Sequence, residues 1–318
     1  MKLFVCSIFL FLVGCTSSLP YIPDTQQLDR TLLSLPDVTV SIPNLSSCTD
    51  SVEKSIKIDS KSPVTVLVHG CKGSAGRFRS LAQLYAFHGQ QAICYSYDDR
   101  ASLVESAKKL ATAVSELADV TNNQSISIIG HSMGGLIARK AVEENDNVSN
   151  VLADKKLELV TISAPLSGIS SADYCGIESL RWLSAGVVPG VCWLITGDNW
   201  TEITSTSNFI KYPDPLIPSV QKYLKIVTDE KNTCRQKGKN GKCTESDYVF
   251  NLSEQYHPKI DSYKNITGVQ VDAGHVEIVG NSRMVPRKLL SILQEYGMLS
   301  YTPVDRREEF ERLLVELY

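Results

Sequence analysis

Hydrophobic and polar positions along this chain alternate between two rhythms. Short β-branched or aliphatic runs read as buried strands: Pro63 to Val68, Ala92 to Tyr97, Ser125 to Ile129, Leu157 to Ile162, Tyr223 to Thr228 and Ile266 to Val271. Between them the spacing turns helical. Leu103, Ala107, Leu110, Val114 and Leu117 recur at steps of 4, 3, 4 and 3, one apolar face of a 3.6-residue period. Arg77 to His88, closed by Gly89, and Met133 to Glu144, with Leu136, Ile137 and Ala141 inward, follow the same rule. So does the stretch carrying Val285, Leu289, Ile292 and Tyr296. The charged tail with Phe310, Leu313, Leu314 and Leu317 predicts a short amphipathic helix. Strands and helices alternating in this way predict an α/β fold built from βαβ units, its central sheet mostly parallel and flanked by helices. In such sheets active sites gather beyond the carboxyl ends of the strands. Two of those ends carry glycine-punctuated turns, His69-Gly70-Cys71-Lys72-Gly73 and Gly130-His131.

Three stretches break the rhythm. Lys2 followed by the apolar run Leu3 to Val13 is too short to span a bilayer, which takes about 20 apolar residues. It reads as a secretory signal peptide over 1–14. Its end, Leu12-Val13-Gly14-Cys15, resembles the lipobox of bacterial lipoproteins, and that resemblance implies a diacylated Cys15. Residues 15–62, rich in Ser, Thr, Pro and Asp, read as a tether followed by a strand or two at the domain edge. The main domain then runs from 63 to 318, interrupted at about 166–220 by an insertion holding Trp182, Leu183, Val187, Trp193 and Leu194. Two readings of that insertion stand side by side, a cap or lid over the site and a peripheral core-packing subdomain. The segment between Thr228 and Lys242 reads as a polar Lys/Gly-rich loop.

Composition narrows the function. With 43% hydrophobic and 21% charged residues the chain has the balance of a globular protein with a real core. The formal charge of −3, with no Lys/Arg stripe interleaved with aromatics, gives no support for nucleic-acid binding. Beyond Cys6 and Cys15, seven of the nine cysteines remain. None forms a CxxC pair with a nearby His, so no metal is expected. In an oxidising compartment Cys175–Cys192 and Cys234–Cys243 are candidate loop staples, and the odd count leaves at least one thiol over.

Gly130-His131-Ser132-Met133-Gly134 is a GxSxG pentapeptide, of which about 0.1 chance matches are expected in a chain this long. Its context is more telling than its letters: a buried strand runs in and a helix runs out, as in a nucleophile elbow. Together with Val66-Leu67-Val68-His69-Gly70, Thr161-Ile162-Ser163-Ala164-Pro165-Leu166-Ser167-Gly168 and Ala273-Gly274-His275, this segment resembles the α/β-hydrolases, and within them the lipase/esterase branch, over about 63–295. Leu166 stands where many relatives have His. The resemblance implies Ser132 as nucleophile and His275, just past the last strand, as general base. It also implies an oxyanion hole formed by the backbone N–H groups of Met133 and Cys71. The acid should follow the Tyr223–Thr228 strand. Asp247, opening Asp247-Tyr248-Val249-Phe250-Asn251-Leu252-Ser253, is the expected one, with Asp229 at the strand end as alternative and Glu245 behind both.

The expected function is therefore hydrolysis of carboxylic esters, lipase, esterase or phospholipase-like, through an acyl-enzyme on Ser132 and without a cofactor. Acyl transfer or thioester cleavage on the same triad, and a non-catalytic lipoprotein that keeps the fold, are the alternatives. The expected partners are an ester or lipid substrate and a membrane reached through the N-terminal lipid. With Thr16 rather than Asp after Cys15, the expected location is the bacterial cell envelope, at the outer membrane.

Overall fold

The computed structural model describes residues 28–51, 54–122, 124–145, 148, 151–170 and 201–318. The signal peptide, Cys15, the Cys175–Cys192 pair and the Trp-rich centre of the insertion lie outside the described residues.

Seven strands form the main sheet: β2 (Leu45–Ser46), β4 (Val64–Val68), β5 (Gln91–Tyr95), β6 (Ile126–His131), β7 (Leu157–Ile162), β8 (Val220–Asp229) and β11 (Ile266–Asp272). Their spatial order is β11-β8-β7-β6-β4-β5-β2. All pair in parallel except β2, which joins β5 antiparallel at the edge. Two further strands of the N-terminal segment, β1 (Val38–Ser41) and β3 (Ser55–Ile58), make a small antiparallel sheet of their own.

Because side chains alternate across a strand, each central strand feeds two cores. Val64, Val66, Val68, Ile126, Ile128, Leu157, Leu159 and Tyr223 point to one face. There they meet helices α2 (Leu103–Val120) and α3 (Met133–Lys140) through Leu103, Leu110, Val114, Leu117 and Ile137. Leu67, Ile129, Val160, Ile162, Leu224 and Ile226 point to the other face. Helices α1 (Arg79–Phe87), α4 (Arg287–Glu295) and α5 (Arg307–Leu317) cover it with Leu81, Leu84, Leu289, Leu293, Phe310 and Leu314. The sheet is thus buried on both sides along β4, β6, β7 and most of β8, while the edge strand β11 stays largely exposed, and the polar groups of the central strands gather at their ends.

Three features depart from the sequence reading. The polar segment after β8 is a hairpin, β9 (Cys234–Lys237) and β10 (Cys243–Ser246), stapled by Cys234–Cys243. A second disulfide, Cys48–Cys94, spans 46 residues of sequence. The pairing of Ser46 with Cys94 across β2 and β5 brings the two halves together, and closing a loop of that length stabilises by about 4 kcal/mol on chain-entropy grounds. The flanks of the insertion also belong to the body: Leu166, Ile203, Ile210 and Ile217 are buried in the α2/α3 core. Glu202 accepts a hydrogen bond from Ser102 Oγ, 2.7 Å, at the N-terminus of α2, where a carboxylate also meets the favourable end of the helix dipole.

Candidate active site

The carboxyl ends of β4, β6, β8 and β11 carry His69-Gly70, Ser132, Glu230 and the turn with His275. Those four strands lie close together in a single sheet, so residues some two hundred positions apart meet at one end of it.

Ser132 sits between β6 and α3 with φ 57° and ψ −127°, a backbone conformation that L-residues rarely adopt. Its N–H is held by Ile162 O at 2.8 Å. The flanking glycines make the turn possible. A Cβ on Gly134 would lie 2.3 Å from the carbonyl oxygens of Val68 and His69, and one on Gly130 would lie 2.3 Å from Gly134 O. The elbow therefore packs backbone against backbone, and the β4 turn is pressed onto it. A Cβ at Gly70 would meet Ser132 Cβ at 3.0 Å and Oγ at 3.5 Å.

That turn, which contains Cys71, is pinned from outside. Tyr97 OH donates to His69 O at 2.6 Å, and the Tyr97 ring stacks on the His69 imidazole at 4.3 Å. The Lys72 N–H is bound by Asp99, and the Gly76 N–H by Asp50 at 2.9 Å. These contacts fix the position of the turn against the elbow. Cys71 itself carries an exposed thiol outside both disulfides.

His275 lies against the elbow. His131 Nε2 donates to His275 O at 2.9 Å, and the two rings are 4.7 Å apart. Phe250 meets the His275 ring edge-on at 4.8 Å. The carboxylate on His275 Nδ1 is Glu230, at 2.9 Å, and this corrects the expectation of Asp247. Glu230 follows Asp229 by one residue and is fully buried, yet every lone pair it needs to satisfy is met. Oε2 accepts the N–H groups of Val249 and Phe250 at 2.6 and 2.9 Å. Oε1 accepts Ser163 Oγ at 2.8 Å besides the imidazole. Thr228 Oγ1 stands 2.8 Å from Ser163 Oγ and 3.0 Å from Glu230 Oε1 and can donate to either. Burial raises the Glu230 pKa, but the His275 hydrogen bond and charge and the two backbone N–H groups outweigh it, so the carboxyl ionises below its usual range. An ionised Glu230 fixes the proton of His275 on Nδ1 and leaves Nε2 as an acceptor.

Asp247 does different work. Its carboxylate accepts the N–H groups of Val276 and Glu277, at 3.0 and 2.9 Å, and Arg235 Nη2 at 2.9 Å. It thus buttresses the 274–277 turn that carries His275. A Cβ on Gly274 would lie 2.1 Å from Asp247 Oδ2, which shows how closely the carboxylate is seated there. The other two candidates are also engaged elsewhere, Asp229 with the Lys231 N–H and Glu245 with Arg235. Among the described residues no group of three or more His, Cys, Asp or Glu side chains is placed to hold a metal ion.

His131 gives the site an acid sensitivity. Burial first, and the neighbouring His275 second, push its pKa from 6.5 down to about 3. The folded protein keeps His131 neutral where the unfolded chain takes up a proton, so stability falls as the pH drops below the unfolded value of 6.5. The slope is up to about 1.4 kcal/mol per pH unit for this group. His131→Gln should flatten the decline of Tm between about pH 6.5 and pH 4. Parallel Tm curves for the variant and the wild type would show that the acid sensitivity arises elsewhere.

A family model described as palmitoyl protein thioesterase matches residues 63–253. Among solved structures the chain is similar to a Bacillus licheniformis lipase in its mature form, at 15% identity, covering 83% of this chain and 99% of that one with a TM-score of 0.50. The propeptide form of that lipase is 14% identical, with 85% of this chain and 55% of that one covered and a TM-score of 0.51. At these identities the likeness establishes the fold, which is that of the α/β-hydrolases. A comparison with curated protein sequences gives no match.

Proposed function

We propose that this chain, which belongs to the palmitoyl protein thioesterase family and is a serine hydrolase of the α/β-hydrolase type, cleaves acyl esters and thioesters through an acyl-enzyme on Ser132. The observation that carries the reading is the strained Ser132 elbow set beside a His275–Glu230 pair at one end of one sheet.

In this reading Ser132 Oγ attacks the substrate carbonyl carbon while His275 Nε2 takes its proton. Glu230, already ionised, stabilises the imidazolium that forms. The negative charge developing on the carbonyl oxygen is received by the N–H groups of Met133 and Cys71. Collapse of the tetrahedral species expels an alcohol or a thiol, which takes the proton back from His275. Water then repeats the sequence on the acyl-enzyme and releases the acid. Ser163 and Thr228 serve as positioning residues, holding Glu230 Oε1 toward the imidazole.

The ester expectation and the family do not choose the same leaving group, and the family match favours thioesters. Matched oxygen esters and thioesters, acetyl to palmitoyl, compare the two directly. Faster turnover of the palmitoyl thioester than of its oxygen ester supports the thioester reading, and the reverse returns the enzyme to the lipase/esterase class. Turnover of neither contradicts the hydrolase mechanism.

We also propose that Cys15 is lipidated and holds the enzyme at the cell envelope. The motive is the Leu12-Val13-Gly14-Cys15 pattern behind an apolar leader. Among the described residues no helix is long and apolar enough to cross a membrane. Cys15→Ser should move the protein from the membrane to the soluble fraction, and unchanged fractionation would remove the lipid from the account.

A further inference from the structure

The β9–β10 hairpin stands largely clear of the body. Every residue of β10 is exposed, as are Gln236 and Lys237 of β9, so most of the hairpin buries nothing against the body. A two-stranded ribbon without a packed face is marginal in water, and this one is held by the Cys234–Cys243 staple. A covalent bond that maintains a stand-off ribbon points to something displayed there.

What it displays is charge. Residues 231–242 contain Lys231, Arg235, Lys237, Lys239 and Lys242 and no Asp or Glu, in a chain whose net charge is −3. Arg235 is neutralised by Glu245 and Asp247. Lys231, Lys237, Lys239 and Lys242 are exposed and meet no carboxylate among the described residues. The Lys237–Lys242 tip is tightly closed, with Gly238 N–H bound to Lys242 O at 2.8 Å and Gly241 at φ 75°. Its three lysines are therefore crowded onto one turn.

The base of the hairpin lies at the active site. Ser246 pairs with Cys234, and the chain then passes through Asp247 to Tyr248 and Val249, both more than 40% exposed. The next contacts are the Val249 and Phe250 N–H groups on Glu230 and the Phe250 ring on His275. A cationic tip, an exposed aromatic and aliphatic pair at its foot, and the catalytic acid beneath them follow one another within twenty residues.

We propose that this hairpin is a docking element for an anionic lipid surface, with Lys237, Lys239 and Lys242 on the headgroup phosphates and Tyr248 and Val249 at the level of the glycerol backbone. Lysines near a negatively charged leaflet each contribute about fivefold to partitioning, and tyrosine favours the membrane–water boundary. The hairpin carries no exposed aromatic among its lysines on which a nucleobase could stack, which disfavours single-stranded nucleic acid. The proposal does not depend on the catalytic reading, because binding is measured without turnover.

The test is co-sedimentation of the full chain with phosphatidylcholine vesicles and with vesicles containing a minority of phosphatidylglycerol, at low and at high salt. Any contribution of the N-terminal segment is common to both compositions. The wild type should prefer the anionic vesicles, and salt should erase the preference. Combined Lys237→Glu, Lys239→Glu and Lys242→Glu should weaken that binding on the order of 100-fold, while the three Lys→Arg changes should retain it. Hydrolysis of a water-soluble acetyl ester should be unchanged in both variants, which also shows that they fold. Equal binding to the two vesicle types, or undiminished binding by the Glu variant, would overturn the proposal. So would tighter binding to a soluble polyanion such as heparin than to the anionic vesicles.

Discussion

Ser132→Ala is expected to lower acyl hydrolysis by on the order of 10⁴ to 10⁶ while leaving the protein folded. The size of the effect follows from the chemistry: without the hydroxyl no acyl-enzyme can form, and water must attack directly. The folded state should survive because the side chain contributes little to the turn. The Ser132 N–H remains bound to Ile162 O, and the close approaches at Gly130 and Gly134 that shape the elbow are untouched. Alanine is strained at φ 57° to about the same degree as serine. The measurement is kcat on a soluble ester together with Tm. A variant with wild-type turnover and unchanged Tm would remove Ser132 from the mechanism.

Glu230→Gln should cost on the order of 10⁴ in kcat with little change in KM. A glutamine can still accept the Val249 and Phe250 N–H groups through its oxygen, but its amide then faces His275 Nδ1. It favours the tautomer with the proton on Nε2, which cannot receive the serine proton. Asp247→Asn is expected to behave differently. Its amide must face one of the donors that Asp247 now satisfies, so the 274–277 turn loosens. The loss should appear mainly as stability, about 1.5 to 3 kcal/mol, with a smaller loss of rate. The pair of variants separates the two carboxylates, one on the imidazole and one beneath its turn. A collapse of kcat in Asp247→Asn with Glu230→Gln nearly intact would return the acid role to Asp247.

Much of the fold was legible because burial leaves a period in the sequence. The parallel strands were readable as short apolar runs, and α2 as steps of four and three, since both faces of the central strands are covered and the helices have one apolar side. The ends of these elements were less legible: β8 runs to Asp229, and helix α3 stops at Lys140 rather than continuing to Glu144. The turn around Ser132 stood out because only glycine tolerates the contacts on either side of it. Glu230 was not legible, for a physical reason. Its place is defined by donors that come from elsewhere in the chain: Ser163 past β7, Val249 and Phe250 beyond the hairpin, and His275 after β11. One residue past the strand end, a glutamate is long enough to reach all of them, whereas Asp229 remains with the local Lys231 N–H. Asp247 sits close enough to His275 to share its turn, and a sequence pattern cannot tell support of the backbone from contact with the ring.

The Cys48–Cys94 bridge escaped for a similar reason. It depends on the two-residue strand β2 finding the edge of β5, which no local rule supplies. The hairpin reads as a loop in the sequence because it has no buried face, and a strand exposed on both sides has no hydrophobic alternation to show. These features are set by long-range contact, and Glu230 is the one among them on which the proposed mechanism depends most.

The most direct test of the central claim is to trap the acyl-enzyme equivalent. Incubation with a fluorophosphonate, followed by peptide mass mapping, should find one adduct on the peptide containing Ser132. Labelling should be lost in Ser132→Ala and strongly slowed in Glu230→Gln, with Asp247→Asn labelled at a rate closer to wild type. No adduct on the wild-type protein, or an adduct on another residue that persists in Ser132→Ala, would contradict the account.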